Sequence, residues 1–145
     1  MNADNIISKI QKNVNNISGD ILNGSDLAYV GDAYYELFVR TYLLSKGITK
    51  PQILHKMCTK YVRAETHAKI IRKIMDKLTE EELNAYHRGR NYNYRHRSKG
   101  SKLADYLLSS GFEAVIGYLF LSGKNDRLDE ILDLSISIIE SDEIQ

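Results

Sequence analysis

Apolar residues recur along this chain at the three- and four-residue spacing of amphipathic helices, not in the alternation that is typical of strands. The first such stretch carries Ile6, Ile10 and Val14, and the loop-forming residues 15–24 follow it. A longer apolar stripe then comprises Leu27, Val30, Tyr34, Leu37, Phe38 and Tyr42. A single proline and nine glycines leave little to interrupt helices. The pattern predicts an all-α fold.

Capping residues suggest where the first helices begin and end. Ser25 is the predicted N-cap of the long helix, which should end near Gly47. Thr49 is the predicted cap of the next helix, with Pro51 in its first turn, where a missing amide is harmless.

Later in the chain, Thr79 and Glu82 have the spacing of a capping box at the start of another helix. Helical periodicity is lost over residues 89–101, which predicts a loop, and it returns from about Lys102 to Leu121. The last helix is predicted to open at Asn125 or Asp126.

Length and composition narrow the class of protein. The 145 residues predict one domain over 1–145, with residues 1–20 as an N-terminal extension. A lone Cys58 excludes an intramolecular disulfide and a cysteine-based zinc cluster, and it forms no nucleophilic arrangement with His55 or His67, so all three are interpreted as structural. With no secretory signal and no apolar run of membrane-spanning length, we expect a cytoplasmic protein without a membrane partner.

Charge is distributed unevenly, although the formal net charge is only +1. No acidic residue lies between Glu82 and Asp105, and the same interval holds six basic ones. These are Arg88, Arg90, Arg95, Arg97, Lys99 and Lys102. Such a segment is either an anion-binding face or a solvated charged loop.

Two acids lie inside apolar helical segments next to glycines: Asp32 directly follows Gly31, and Glu113 lies between Gly111 and Gly117. A glycine within a helix costs about 1 kcal/mol relative to alanine, and close approach of another backbone is the usual compensation. Each acid is either an ordinary solvated carboxylate or one half of a shared site for a hard cation such as Mg²⁺. Spacing alone does not decide between these interpretations.

Four ordered motifs resemble the Mini-ribonuclease III family of ribonuclease III domains. The stretch LAYVGDAYYELFVR, from Leu27 to Arg40, is similar to the first motif of these domains. The RGRN at 88–91, the GFEA at 111–114 with GYL at 117–119, and Arg127-Leu128 resemble the family's later elements in the same order. The resemblance spans about residues 20 to 140.

The resemblance implies a homodimeric ribonuclease III helical bundle in which Asp32 and Glu113 are the catalytic acids that bind Mg²⁺, for which Mn²⁺ can substitute. The larger enzymes of the superfamily carry further acids where this chain has Ala28 and Ser110. The Mini-ribonuclease III branch shares these departures, so they do not imply inactivation. Glu36, one turn after Asp32, is either an outer-shell metal ligand or a surface partner of Arg40.

The resemblance also implies an endoribonuclease of double-stranded RNA that matures the ends of precursor 23S (large-subunit) ribosomal RNA and leaves 5′-phosphates. RNA contact is then expected from Arg88, Arg90, Asn91, Arg95, Arg97, Lys99 and Lys102. Dimerisation is expected through the first-motif helix, around Tyr29, Val30, Ala33, Tyr34 and Leu37, unless these residues form the monomer's own core. The main rival hypothesis is a non-catalytic module that binds structured RNA in ribosome assembly, and a third is a helical dimer with no RNA role.

Overall fold

A computed structural model describes residues 4–17, 22–92 and 101–143, and these ranges form seven α-helices without a strand. The helices are α1 (Asp4–Asn15), α2 (Gly24–Ser45), α3 (Pro51–Val62), α4 (Ala64–Ile74), α5 (Glu80–Tyr92), α6 (Ser101–Leu121) and α7 (Asn125–Glu143). A short 3₁₀ turn, Met75–Lys77, follows α4. The predicted all-α class is confirmed. Within the described ranges, no helix combines the length and the hydropathy needed to cross a bilayer.

Helix α6 lies at the centre of the molecule, with α2, α4 and α5 packed around it and α7 against its other side. Phe112, Val115, Ile116 and Leu119 of α6 are completely buried. A helix that is apolar around most of its circumference must be covered on all sides, because every exposed apolar face costs free energy in water. The sequence of α6 therefore dictates its central place.

The buried face of α2 differs from the predicted stripe. Tyr35 and Val39 are completely buried, whereas Leu37 of the predicted stripe is 60% exposed. Leu37 comes two residues after Tyr35, and so it lies on nearly the opposite side of the helix. Leu27 of the stripe is buried, and Tyr34, Phe38 and Tyr42 pack against the core, so the predicted stripe departs from the core-facing side at Leu37. Apolar residues occupy both sides of α2, and periodicity does not tell which side meets the core.

Helix ends follow the sequence in some places and not in others. The capping box at α5 is confirmed: the Thr79 amide donates to Glu82 Oε1 at 3.0 Å, and the Glu82 amide donates to Thr79 Oγ1 at 3.2 Å. At α2 the cap is Asn23, whose Oδ1 accepts from the Asp26 amide at 2.9 Å, so the prediction of Ser25 was wrong. At α3 the cap is Lys50, without a side-chain bond, and not Thr49.

Helix α5 extends through residues 89–92, which were predicted to be loop. Gly89 is buried against α6, where a β-carbon would overlap the side chain of Ala114 and crowd the carbonyl of Ser110. Packing on α6 therefore stabilises a turn that has little helical periodicity of its own. The remainder of the predicted loop, residues 93–100, lies outside the described residues.

The closest approach in the fold is the crossing of α2 over α6. A β-carbon on Gly31 would overlap the backbone carbonyl of Glu113, and one on Gly117 would overlap the carbonyl of Leu27. Because each glycine faces the other helix's backbone, the two helices pack without side chains between them. This confirms the expectation that the helical glycine at position 31 accommodates another backbone.

We expect Gly31→Ala to destabilise the protein, although alanine is normally the better helix former by about 1 kcal/mol. The added methyl group has no room beside the Glu113 carbonyl. Overpacking of this kind typically costs about 1–3 kcal/mol. Denaturant unfolding monitored by circular dichroism measures the change.

Ala104→Gly is the control, because Ala104 is an exposed position of α6. It should cost only the helix-propensity difference of about 1 kcal/mol. A Gly31→Ala variant more stable than the wild type would contradict the close crossing.

Candidate active site

Asp32 and Glu113 meet where α2 crosses α6. Gly31 contacts the backbone of Glu113, so the next residue of α2 lies beside the Glu113 side chain. The two carboxyl groups line the same cleft, and Asp32 acts directly on the ionisation of Glu113. Asp32 is exposed at the surface, whereas the Glu113 side chain is only 17% exposed. Two acids that are 81 positions apart in the sequence thus share one site.

The shared site changes the ionisation of Glu113. Burial raises the pKa of Glu113 to about 9, and the negative charge of Asp32 and the hydrogen bond to it act in the same direction. At neutral pH Glu113 therefore holds its proton. A cation placed between the carboxyls would reverse this preference, because it stabilises the doubly ionised form.

The acid pair opens into a cleft of about 600 Å³. Ala28 and Ser110, which stand where the larger enzymes have acids, both line it. Tyr29, Tyr92 and Tyr106 line it as well. Among the described residues, no group of three or more His, Cys, Asp or Glu side chains is arranged to hold a metal. The cleft thus offers the paired carboxyls of Asp32 and Glu113, with space for water and a phosphate beside them.

Asp26, in the first turn of α2, is a third acid on this cleft. The Asn23 amide donates to its carboxylate at 3.4 Å, which completes the capping box of α2. Capping of α2 is therefore sufficient to account for Asp26, without a bound ligand.

His67 was interpreted as structural, and the structure places it directly behind the acid pair. It is completely buried in α4, with Nδ1 3.0 Å from Ser109 Oγ and 3.9 Å from Glu113 Oε2. Burial lowers the pKa of His67 to about 3, so the contact with Glu113 is not an ion pair. The one signal in the sequence was a polar residue on the apolar face of α4, among Ala68, Ile70 and Ile71.

Glu36 is engaged elsewhere in this structure. Arg40 Nη2 donates to Glu36 Oε2 at 2.8 Å, the i, i+4 contact considered from the sequence. Burial raises the pKa of the Cys58 thiol, and the negative charge of Glu36 raises it further. The carboxylate therefore faces α3, and its role as an outer-shell ligand stays a prediction.

None of the predicted RNA-binding residues that the structure describes lines the cleft of the acid pair. Arg88 and Asn91 line a second groove of about 710 Å³, and Arg88 Nη1 donates to the Leu22 carbonyl at 2.7 Å. Arg90 Nη1 donates to Asn91 Oδ1 at 3.2 Å, and Lys102 is exposed. Arg95, Arg97 and Lys99 lie outside the described residues.

The outward side of α2 is apolar. Tyr29 is 82% exposed and Leu37 60% exposed, and Ala33 between them is exposed as well. Val30 and Tyr34 are half-buried. Tyr29, Ala33 and Leu37 are therefore not part of the monomer's core, which was the alternative interpretation of this stripe.

Known proteins resemble this chain over most of its length. The Ribonuclease III domain family matches residues 25–124. A Mini-ribonuclease 3 from Enterococcus faecalis is 44% identical over 117 residues, which cover 79% of this chain and 89% of that protein. The Mini-ribonuclease 3 of Streptococcus pneumoniae is 40% identical over 126 residues, with coverages of 86% and 98%. A crystal structure of a Fusobacterium nucleatum protein has a TM-score of 0.71 at 31% identity, with coverages of 81% and 93%.

We expect the metal-free protein to lose stability as the pH rises from about 5 to 9. The folded state holds a proton on Glu113 up to a pKa of about 9, whereas an unfolded glutamate loses it near 4.3. Between these two pKa values, unfolding releases a proton. The stabilisation that the Glu113 proton provides below the unfolded pKa is therefore lost as the pH rises to the folded pKa, at no more than about 1.4 kcal/mol per pH unit.

Glu113→Gln should remove this contribution, because an amide stays neutral and can still donate to Asp32. Denaturant unfolding in a chelator-containing buffer at pH 6 and pH 9 measures it. The variant should gain stability relative to the wild type at the higher pH, and parallel pH profiles would show that Glu113 ionises normally.

Proposed function

Since the chain belongs to the Mini-ribonuclease 3 family of ribonuclease III domains and is an endoribonuclease, we propose that it cleaves double-stranded RNA in a Mg²⁺-dependent reaction at Asp32 and Glu113. The convergence of these two carboxyls at the α2–α6 crossing supports the proposal. These are also the two acids to which the resemblance to the family assigns catalysis.

The donor set fits a hard divalent cation. Both groups offer oxygen, which Mg²⁺ prefers, and Mn²⁺ accepts the same ligands. Mg²⁺ commonly binds one or two protein carboxylates and completes its shell with water and substrate phosphate, for which the cleft has space. A bound cation would also take the place of the proton that Glu113 holds next to Asp32. Bound there, the ion supplies an activated water and stabilises charge on the scissile phosphate.

The protein's own groups then have separate tasks. Glu113 gives up its proton when the site is loaded, and its burial fixes the orientation of the carboxylate. Asp32 presents its oxygens from the exposed side of the pair. In-line attack of water on phosphorus breaks the bond to O3′, so the products are a 5′-phosphate and a 3′-hydroxyl.

RNA is held through its backbone in this proposal. Arg88, Arg90 and Lys102, with Arg95, Arg97 and Lys99 of the same basic segment, neutralise phosphates, and Asn91 contributes a hydrogen bond. An A-form duplex is recognised by its shape and its 2′-hydroxyls. In this proposal Tyr92, which lines the cleft at the end of α5, contacts these hydroxyls.

Cutting both strands of a duplex requires two acid pairs, and one chain has one. We infer a two-fold dimer through the outward side of α2, where Tyr29, Ala33 and Leu37 leave apolar surface in water. The expected substrate is precursor 23S (large-subunit) ribosomal RNA, cut at a terminal stem. Since the relatives are bacterial, such a precursor would be met in the cytoplasm.

Asp32→Asn should reduce Mg²⁺-dependent cleavage of a perfect RNA duplex by more than about 100-fold. Loss of an outer-shell partner alone costs about 10- to 100-fold, and here a direct ligand would be lost. Single-turnover cleavage of end-labelled RNA, read on a denaturing gel, gives the rate and the cut position.

Duplex binding by this variant, measured with a chelator present, is the companion measurement and should match the wild type. If the wild type also binds without cutting, the non-catalytic RNA-binding module is the better hypothesis. Cleavage by Asp32→Asn at the wild-type rate would rule out the assigned site.

Leu37→Glu should convert the dimer into a monomer, because it places a charge on the apolar side of α2 opposite its own copy. Light scattering after size-exclusion chromatography measures the mass. Ile10→Glu, at a 54% exposed position of α1, is the matched control and should leave the mass unchanged. A wild type that elutes as a monomer at micromolar concentration would exclude this interface.

A further inference from the structure

His67 occupies an unusual position for a core histidine. Its ring is packed edge-on against Tyr35, with centroids 5.0 Å apart, and lies 5.0 Å from the ring of Phe112. Nε2 is buried and has no hydrogen-bond partner among the described residues, whereas Nδ1 faces Ser109 and Glu113. The Nε2 edge of the imidazole therefore has apolar surroundings, and the Nδ1 edge faces the acid pair.

This asymmetry determines the tautomer. A neutral imidazole carries one N–H, and a buried N–H without an acceptor is more costly than a buried lone pair without a donor. Within the described part of the chain Nε2 meets no acceptor, so we assign the proton to Nδ1, which then donates to Ser109 Oγ at 3.0 Å.

Ser109 lies near Glu113 on the central helix. It is buried on α6, four residues before Glu113, so both side chains lie on the same face of that helix, and both line the cleft. Because its oxygen accepts from His67, the hydroxyl's own hydrogen is directed elsewhere. Nδ1 of His67 is also 3.9 Å from Glu113 Oε2, too long for a hydrogen bond but close enough to orient the carboxylate electrostatically.

We propose that His67 is a positioning residue for the acid pair: its Nδ1–H holds Ser109 and the buried side of Glu113 so that the carboxylate faces Asp32 and the cleft. Outer-shell donors of this kind fix the orientation of a metal-binding carboxylate before the metal arrives. The inference rests on the proposed metal site at Asp32 and Glu113. The competing interpretation is that His67 only fills space between two aromatic rings.

Two substitutions separate the roles. His67→Phe keeps an aromatic ring between Tyr35 and Phe112 and removes the N–H. His67→Asn removes the ring and places an amide N–H near the position of Nδ1. A space-filling role predicts that Phe is the milder change, and a positioning role predicts that Asn is.

The measurement is Mn²⁺ affinity by electron paramagnetic resonance, without RNA, together with the thermal midpoint of each variant. We expect His67→Phe to bind Mn²⁺ about 10- to 100-fold more weakly than the wild type while remaining folded, and His67→Asn to retain an affinity within about threefold. Equal affinities for His67→Phe and the wild type, or a weaker affinity for His67→Asn than for His67→Phe, would overturn the proposal.

Ser109→Ala should weaken Mn²⁺ binding in the same direction. Ser135→Ala is its control, since Ser135 is another buried helical serine and donates to the Ile131 carbonyl. Asp32→Asn distinguishes the two levels of inference. If the wild type binds Mn²⁺ no better than Asp32→Asn, the metal site itself fails; if the wild type binds and both His67 variants follow the space-filling order, only the positioning role fails.

Discussion

The backbone contact between α2 and α6 is the constraint from which the candidate site follows. Gly31 and Gly117 each remove the side chain that would hold the helices apart. Asp32 is the neighbour of the first glycine, and Glu113 supplies the carbonyl that this glycine contacts. The separation of the two carboxyls is therefore fixed by backbone packing and not by flexible side chains, which is how a site is kept preorganised.

Bringing two acids together in a partly buried place has a cost in the absence of a cation. The raised pKa of Glu113 expresses this cost, because the folded protein retains a proton that solvent would remove. The central helix offsets it with Phe112, Val115 and Ile116, which are completely buried around the same residue. A stable apolar core thus holds an electrostatically unfavourable pair in place, as expected of a functional site.

The fold class and the course of most helices could be predicted from the sequence, and the resemblance to Mini-ribonuclease 3 proteins is confirmed. The catalytic role of Asp32 and Glu113 stays a prediction. The outward position of Leu37 could not be predicted, because this residue is as apolar as Val39 in the core. The helical turn at 89–92 depends on contact between Gly89 and α6, which periodicity does not contain. The contacts of His67 could not be predicted either, because its partners, Ser109 and Glu113, are distant in the sequence.

Helix α2 has three different surroundings around its circumference, which explains the mixed pattern of apolar and polar residues in its sequence. Gly31, Tyr35 and Val39 face the core, and Leu37 faces outward on nearly the opposite side. Asp32 lies between these two sides, next to the cleft that Tyr29 also lines. Because one rigid helix carries all three sides, a partner bound to the outer side would lie within reach of the cleft rim. The same geometry that aligns the acids thus connects the proposed dimer surface to the proposed site.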